Sequence, residues 1–157
     1  MPDTPETLPT GQPATRVTTM PADANPYGDI FGGWLMAQMD MAAGLVAARR
    51  STGRAVTIAV EGMIFHRPVF VGDEVSVFAD LVKVGNTSMT IAVEAWRRAR
   101  HSEESYKVTE ARFVFVAVDA EGKPVPVDTF TPETPHAMAL AERVRAHLTA
   151  SRSTSQS

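Results

Sequence analysis

Gly32 to Arg50 reads GGWLMAQMDMAAGLVAARR, and this segment decides the fold. Leu, Met and Ala dominate it, residues that lose little rotamer freedom in a helix, and they fall on nearly every side of the helical wheel. Arg49 and Arg50 stand at the end where the helix dipole is negative. The pattern predicts one long helix, and a helix that is apolar all round must be enclosed by other structure.

Beyond Gly53 the period falls to that of a strand. Val56, Ile58 and Val60 alternate with Thr57, Ala59 and Glu61, which predicts a strand running to about Phe65. Further strands read at Glu74 to Val84, Ser88 to Arg98 and Ser105 to Val118. Gly72-Asp73, Gly85-Asn86 and the charged loop from His101 to Glu104 separate them. The short Gly85-Asn86 connection suits a hairpin turn with positive φ, so neighbouring strands should be antiparallel. Upstream, Thr15 to Met20 is a first strand, followed by a loop from Pro21 to Gly28. One helix with at least four long strands predicts an α+β fold, the helix packed on one face of a curved antiparallel sheet.

A chain of 157 residues holds one ordinary domain, and no internal repeat is evident. Residues 1–13, with four prolines, and the polar residues 151–157 read as tails. The domain is placed at 14–128. Pro124 and Pro126 end its last strand region. Residues 129–150 form a helical extension starting near Thr131-Pro132, with Met138, Ala141, Val144 and Leu148 on one stripe.

Hydrophobic residues make up 44% and charged residues 21%, a globular balance, and the net charge of -3 lacks the basic excess of a nucleic-acid-binding surface. No basic region precedes an apolar core near Met1, and no apolar run is long enough to span a bilayer. The absence of cysteine excludes disulfides, thiolate metal sites and a cysteine nucleophile. These features predict a cytoplasmic protein without membrane insertion.

Asp40 carries the most information. Met36, Ala37, Ala43 and Gly44 are its neighbours one turn away, and none can neutralise it. A carboxylate in such surroundings needs donors from another segment, and the position suits a general base. The competing reading is a structural Asp that caps another element or faces solvent. Gly32 and Gly33 open the helix, where unpaired first-turn N–H groups and the positive dipole end can hold an oxyanion. Close packing against a strand is the alternative for these glycines. Asp29 reads as a helix cap. Asn25 can orient a water or a carbonyl through its amide, or serve as an ordinary turn residue before Pro26. No pair among the four histidines has metal-ligand spacing. No Gly-x-Ser-x-Gly elbow, phosphate-binding loop or dinucleotide fingerprint is present.

Three stretches, MPADANPYGDIFGGWLMAQMD from Met20, VTIAVEGMIFHRPVFVGDEVSVFADL from Val56 and YKVTEARFVFVAVDAEGKP from Tyr106, closely resemble the YciA-like acyl-CoA thioesterases. The resemblance spans roughly Val17 to Pro126 and implies a hotdog fold, a sheet wrapping the long helix, with two subunits sharing active sites at their interface. It implies hydrolysis of acyl-CoA to a free acid and coenzyme A, with no cofactor beyond the coenzyme A of the substrate itself. Asp40 would then activate water or attack the thioester carbonyl, and the N–H of Gly32 or Gly33 would hold the carbonyl oxygen. Asn25 would act from the partner subunit. Arg67 and the hairpin residues Asn86, Thr87 and Ser88 are the candidate contacts for coenzyme A. A homodimer is the minimal unit, extended to a hexamer or tetramer. Two rivals remain: a hotdog dehydratase, which needs a His near the helix where none lies between Thr15 and Phe65, and an acyl-CoA-binding sensor without turnover.

Overall fold

The structure, a computed structural model, describes residues 6–129 together with Arg143, Ala146, His147, Thr149 and Ala150. Its elements are β1 (Thr15–Thr18), a single 3-10 turn (Pro21–Asp23), α1 (Gly32–Ser51), β2 (Ala55–Phe65), β3 (Glu74–Val84), β4 (Ser88–Arg98) and β5 (Ser105–Ala117). The strands form one antiparallel sheet in the order β1-β3-β4-β5-β2, with α1 packed against it. The predicted α+β architecture is the one observed, and the long elements begin and end within about a residue of their sequence-based bounds.

Helix α1 ends because Thr52 adopts the left-handed conformation, φ 55°, and its N–H returns to Ala48 O. The buried face of α1 carries Leu35, Met39, Ala42, Ala43 and Ala47. Three alanines there let the helix axis approach the sheet, where it meets Val75 and Val77 of β3, Met89, Ile91 and Val93 of β4, and Phe113 and Phe115 of β5.

The expected enclosure on all sides is not found among the described residues. The sheet covers a single face of α1, and on the other Met36, Met41 and Leu45 are 39%, 53% and 42% exposed. Strand β2 is equally open. It lies at the sheet edge with one side unpaired among the described residues, and Ile58, Val60, Ile64 and Phe65 are exposed. Its predicted alternation is also broken. The register slips between Thr57 and Ala59, so Val56 pairs with Val116 while Val60 pairs with Phe113. Residues 113 and 116 of β5 point to opposite faces, so Val56 and Val60 do too.

The β3–β4 connection departs from expectation as well. Gly85 N–H closes it onto Ser88 O at 2.8 Å, and neither Gly85 nor Asn86 has positive φ. Three residues, Gly85 to Thr87, bridge the strands in place of a two-residue turn. The stripe Met138, Ala141, Val144 and Leu148 lies outside the described residues. Among the described residues no helix is long and apolar enough to cross a membrane.

Phe113 is 1% exposed where α1 meets the middle of the sheet. Phe113→Ala should cost about 3–5 kcal/mol of stability, read as a lowered midpoint in chemical denaturation.

Candidate active site

Asp40 sits on the open side of α1. Successive residues turn by 100°, so Gly33, Met36, Ala37, Asp40 and Met41 share that side. The carboxylate is half-buried, and its one hydrogen-bond partner among the described residues is Thr57, whose Oγ1 donates to Oδ1. Thr57 reaches it because it pairs with Phe115, on the sheet face that meets the helix. Asp40 caps no element. One oxygen is held and the other stays open to whatever covers this side. Thr57 escaped the sequence reading, and its signal was a lone hydroxyl within Val56-Thr57-Ile58-Ala59-Val60.

The helix entrance is built without a side-chain cap. Phe31 occupies the N-cap position and has no oxygen to offer, so the N–H groups of Gly32 and Gly33 receive nothing from it. Asp29, expected to cap the helix, instead forms a backbone bridge with Phe70 two residues before the N-cap. The two glycines differ. A Cβ on Gly32 would lie 3.3 Å from the Phe65 ring, whereas one on Gly33 would meet nothing within 4 Å. Close packing accounts for Gly32 and leaves Gly33 facing open space.

Asn25 organises the loop before the helix. Its Oδ1 accepts from Tyr27 N at 2.9 Å and Asp29 N at 3.1 Å, and its own N–H donates to Asp29 O at 2.6 Å. The turn role is therefore real. It uses only the amide oxygen, so the Nδ2 donors remain for another partner.

The residues considered for coenzyme A do not come together in one chain. Arg67 lies beside Val108 and Lys107, whereas Thr87 O accepts from Ala117 N and Asn86 O from Val127 N. Val108 and Ala117 stand at opposite ends of β5, about 30 Å apart at strand rise. At the hairpin the backbone oxygens of Asn86, Thr87 and Ser88 are consumed in tying down the turn and the segment after β5. Among the described residues no group of three or more His, Asp or Glu can hold a metal ion.

Residues 27–103 match the sequence profile of the thioesterase superfamily. The acyl-CoA thioester hydrolase YciA of Salmonella typhimurium is 50% identical over 125 residues, covering 78% of this chain and 94% of that protein. The hexameric thioesterase y2039 of Yersinia pestis superposes with a TM-score of 0.72 at 47% identity, over 76% of this chain and 98% of its own. A hexameric hotdog fold thioesterase of Campylobacter jejuni does so at 0.70 and 34% identity, over 84% and 97%. The chain belongs to the YciA-like thioesterases.

In this YciA-like hotdog, the sheet face turned away from α1 is charged. Lys107 Nζ lies 3.0 Å from Glu110 Oε2 and 3.6 Å from Glu94 Oε1, and His66 Nε2 lies 3.3 Å from Glu110 Oε1. The hydrogen bond from Lys107 holds the Glu110 carboxyl below its ordinary value of 4.5, and the same bond raises Lys107 above 10.5. A carboxylate with a depressed native pKa contributes stability that is present above its unfolded value and lost as pH falls through the native one. The raised Lys107 contributes below its unfolded value and loses that contribution as pH rises through its native one. Glu110→Gln should therefore lower the melting temperature slightly at neutral pH and flatten its fall below about pH 4. Thermal melts of parent and variant across acid pH measure this.

Proposed function

We propose that this chain hydrolyses acyl-CoA to a free carboxylic acid and coenzyme A, at sites that two copies complete together. The observation carrying this reading is Asp40, held through one oxygen by Thr57 on a helix face of small and apolar residues. Asp40 takes a proton from water as the water oxygen bonds the thioester carbon. The N–H of Gly33 or Gly32, on the positive end of the helix dipole, and the Asn25 amide hold the carbonyl oxygen as it gains charge. The carbon–sulfur bond then breaks, the sulfur takes the proton from Asp40, and the acid leaves. Direct attack by Asp40 on the thioester carbon, followed by hydrolysis of the anhydride, uses the same groups.

Helix geometry supports the shared site. Asp40 stands eight positions along α1 from Gly32, a rise of about 12 Å, too far for both to touch one thioester. A second helix running antiparallel across a two-fold axis brings the partner's entrance opposite Asp40. That packing also covers Met36, Met41, Leu45, Ile58 and Val60. The solved relatives above are hexameric, and a hexamer of three such dimers is the assembly we adopt. Residues 14–128 form the catalytic domain. Water is the co-substrate, with no cofactor required, and a cysteine-free chain suits the cytoplasm.

Asp40→Asn keeps the shape but can neither take a proton nor attack a carbonyl. Turnover should fall by about 10² or more, with acyl-CoA binding and melting temperature close to the parent. Thiol release, binding and melting measured on one preparation separate this from a structural role, in which activity would fall only with the folded fraction.

Gly33→Val places a branched side chain in the open space at the helix entrance. Turnover should drop at least about tenfold, of the order produced by losing one oxyanion donor, while circular dichroism stays that of the parent. A folded variant with parental turnover would remove Gly33 from the mechanism.

A further inference from the structure

We infer that Asp73 and Arg97 are positioning residues: they fix the loop 69–73, from which the donors of the helix entrance take their place. Through those donors they govern the site whose carboxylate comes from the other copy. This rests on the thioesterase reading above.

Asp73 is buried one residue before β3, and a carboxylate there needs partners. Its Oδ2 accepts the N–H of Phe70 at 2.9 Å. Arg97 Nε, from β4, stands 2.9 Å from the same oxygen, as an ion pair out of line for a hydrogen bond. The Arg97 guanidinium also lies over the Phe70 ring, 5.1 Å from its centre. Phe70 is thus held at its N–H by the carboxylate and at its ring by the cation. The turn is closed behind it. Asp73 N–H donates to Phe70 O at 3.1 Å, and the hydroxyl of buried Thr19 donates to that oxygen at 2.8 Å. Apolar packing could fill the same space, but two charged groups meeting at one oxygen also fix a direction.

What the loop carries gives this brace its consequence. Phe70 forms the backbone bridge with Asp29, and Val69 O accepts Ile30 N–H at 2.8 Å. Asp29 N–H in turn donates to Asn25 Oδ1, and Ile30 stands two residues before Gly32. The Asn25 amide lies to one side of this bridge and the glycine N–H groups to the other. No side chain caps the helix, so the entrance takes its place from backbone ties, and two of them run to the loop 69–73. Asp40 is held elsewhere, by Thr57 of β2. A defect at Asp73 therefore displaces the entrance of its own chain and leaves that chain's carboxylate in place.

Asp73→Ala should lower kcat about tenfold and leave KM within about twofold of the parent, because the displaced donors act on the transition state. The deciding measurement uses hybrids, at a temperature where each variant keeps the circular dichroism of the parent. Asp73→Ala and Asp40→Asn chains are co-expressed under two different tags and purified through both. A mixed pair has one site with the entrance of the Asp40→Asn chain and the carboxylate of the Asp73→Ala chain, both intact. Thiol release should recover to about a quarter of the parental rate, since half of randomly formed pairs are mixed and each has one sound site of two. Gly33→Val with Asp40→Asn is the control for sharing of the site. Recovery in the control without recovery for Asp73→Ala overturns the positioning role, as does a kcat unmoved by Asp73→Ala. A control that does not recover overturns the shared site and this inference with it. If Asp73→Ala does not fold, Asp73→Asn, which keeps an oxygen for Phe70 and loses the charge facing Arg97, must show the same loss and recovery. A parent chain that releases no thiol from acyl-CoA overturns the thioesterase reading instead.

Discussion

An α-helix is stiff, and the rise from Gly32 to Asp40, about 12 Å, cannot be shortened by any motion within one chain. Much of the molecule follows from that distance. The unspent N–H groups of Gly32 and Gly33 and the Asp40 carboxylate lie on one helix, at places that no single small ligand reaches together. The helix therefore keeps one face uncovered, with Gly33 and Ala37 small enough for another helix to approach and Met36, Met41 and Leu45 ready to pack against it. The free edge of β2 beside it, with exposed Ile58 and Val60, continues the same apolar surface. A monomer would leave this surface in water.

The absence of a polar cap at Phe31 belongs to the same logic. Ser, Thr or Asp at an N-cap stabilises a helix by satisfying one of its first N–H groups, typically by about 1 kcal/mol. Here that stabilisation is forgone, and the donors at Gly32 and Gly33 stay unspent. Asn25 treats its two ends in the same divided way. Its oxygen ties the loop through Tyr27 and Asp29, which fixes where the remaining amide donors stand. A rigid turn and an available donor are thus one residue's two contributions.

The helix and the four long strands were legible in the sequence because periodicity is a local property, read directly from Leu, Met and Ala in α1 and from alternating β-branched residues in β3 to β5. What the sequence hid was set by distant partners. Val56 and Val60 look alike on paper, yet one unpaired residue at Ile58 sends them to opposite faces. Thr57 carried no signal beyond a hydroxyl among aliphatics, and its meaning appears only when Asp40, 17 positions away, comes beside it. The candidate site was half legible: Asp40 and the glycine pair stood out, whereas the split between packed Gly32 and open Gly33 needed the Phe65 ring in place. Whether Arg67 and Asn86 could share one site was least legible, because both read as exposed polar residues after a strand and only topology puts a sheet's length between them.

Strand β2 joins the two chemistries of this fold. On its helix-facing side Thr57 holds Asp40 and Phe65 walls the glycine entrance. On the opposite side Ile64 pairs across from Glu110, within the charged network of Lys107 and His66. The register slip between Glu61 and Ile64, with Gly62 at φ 62°, twists the strand end between these two regions. The strand leaves the sheet at His66 and Arg67, still bonded to Val108 O. Apolar surroundings on the helix side and the ion pairs of Lys107, Glu110 and His66 on the other are incompatible in one pocket, since each raises the cost of the other. A sheet one residue thick, with its edge strand bent between its faces, keeps them apart by a backbone's width.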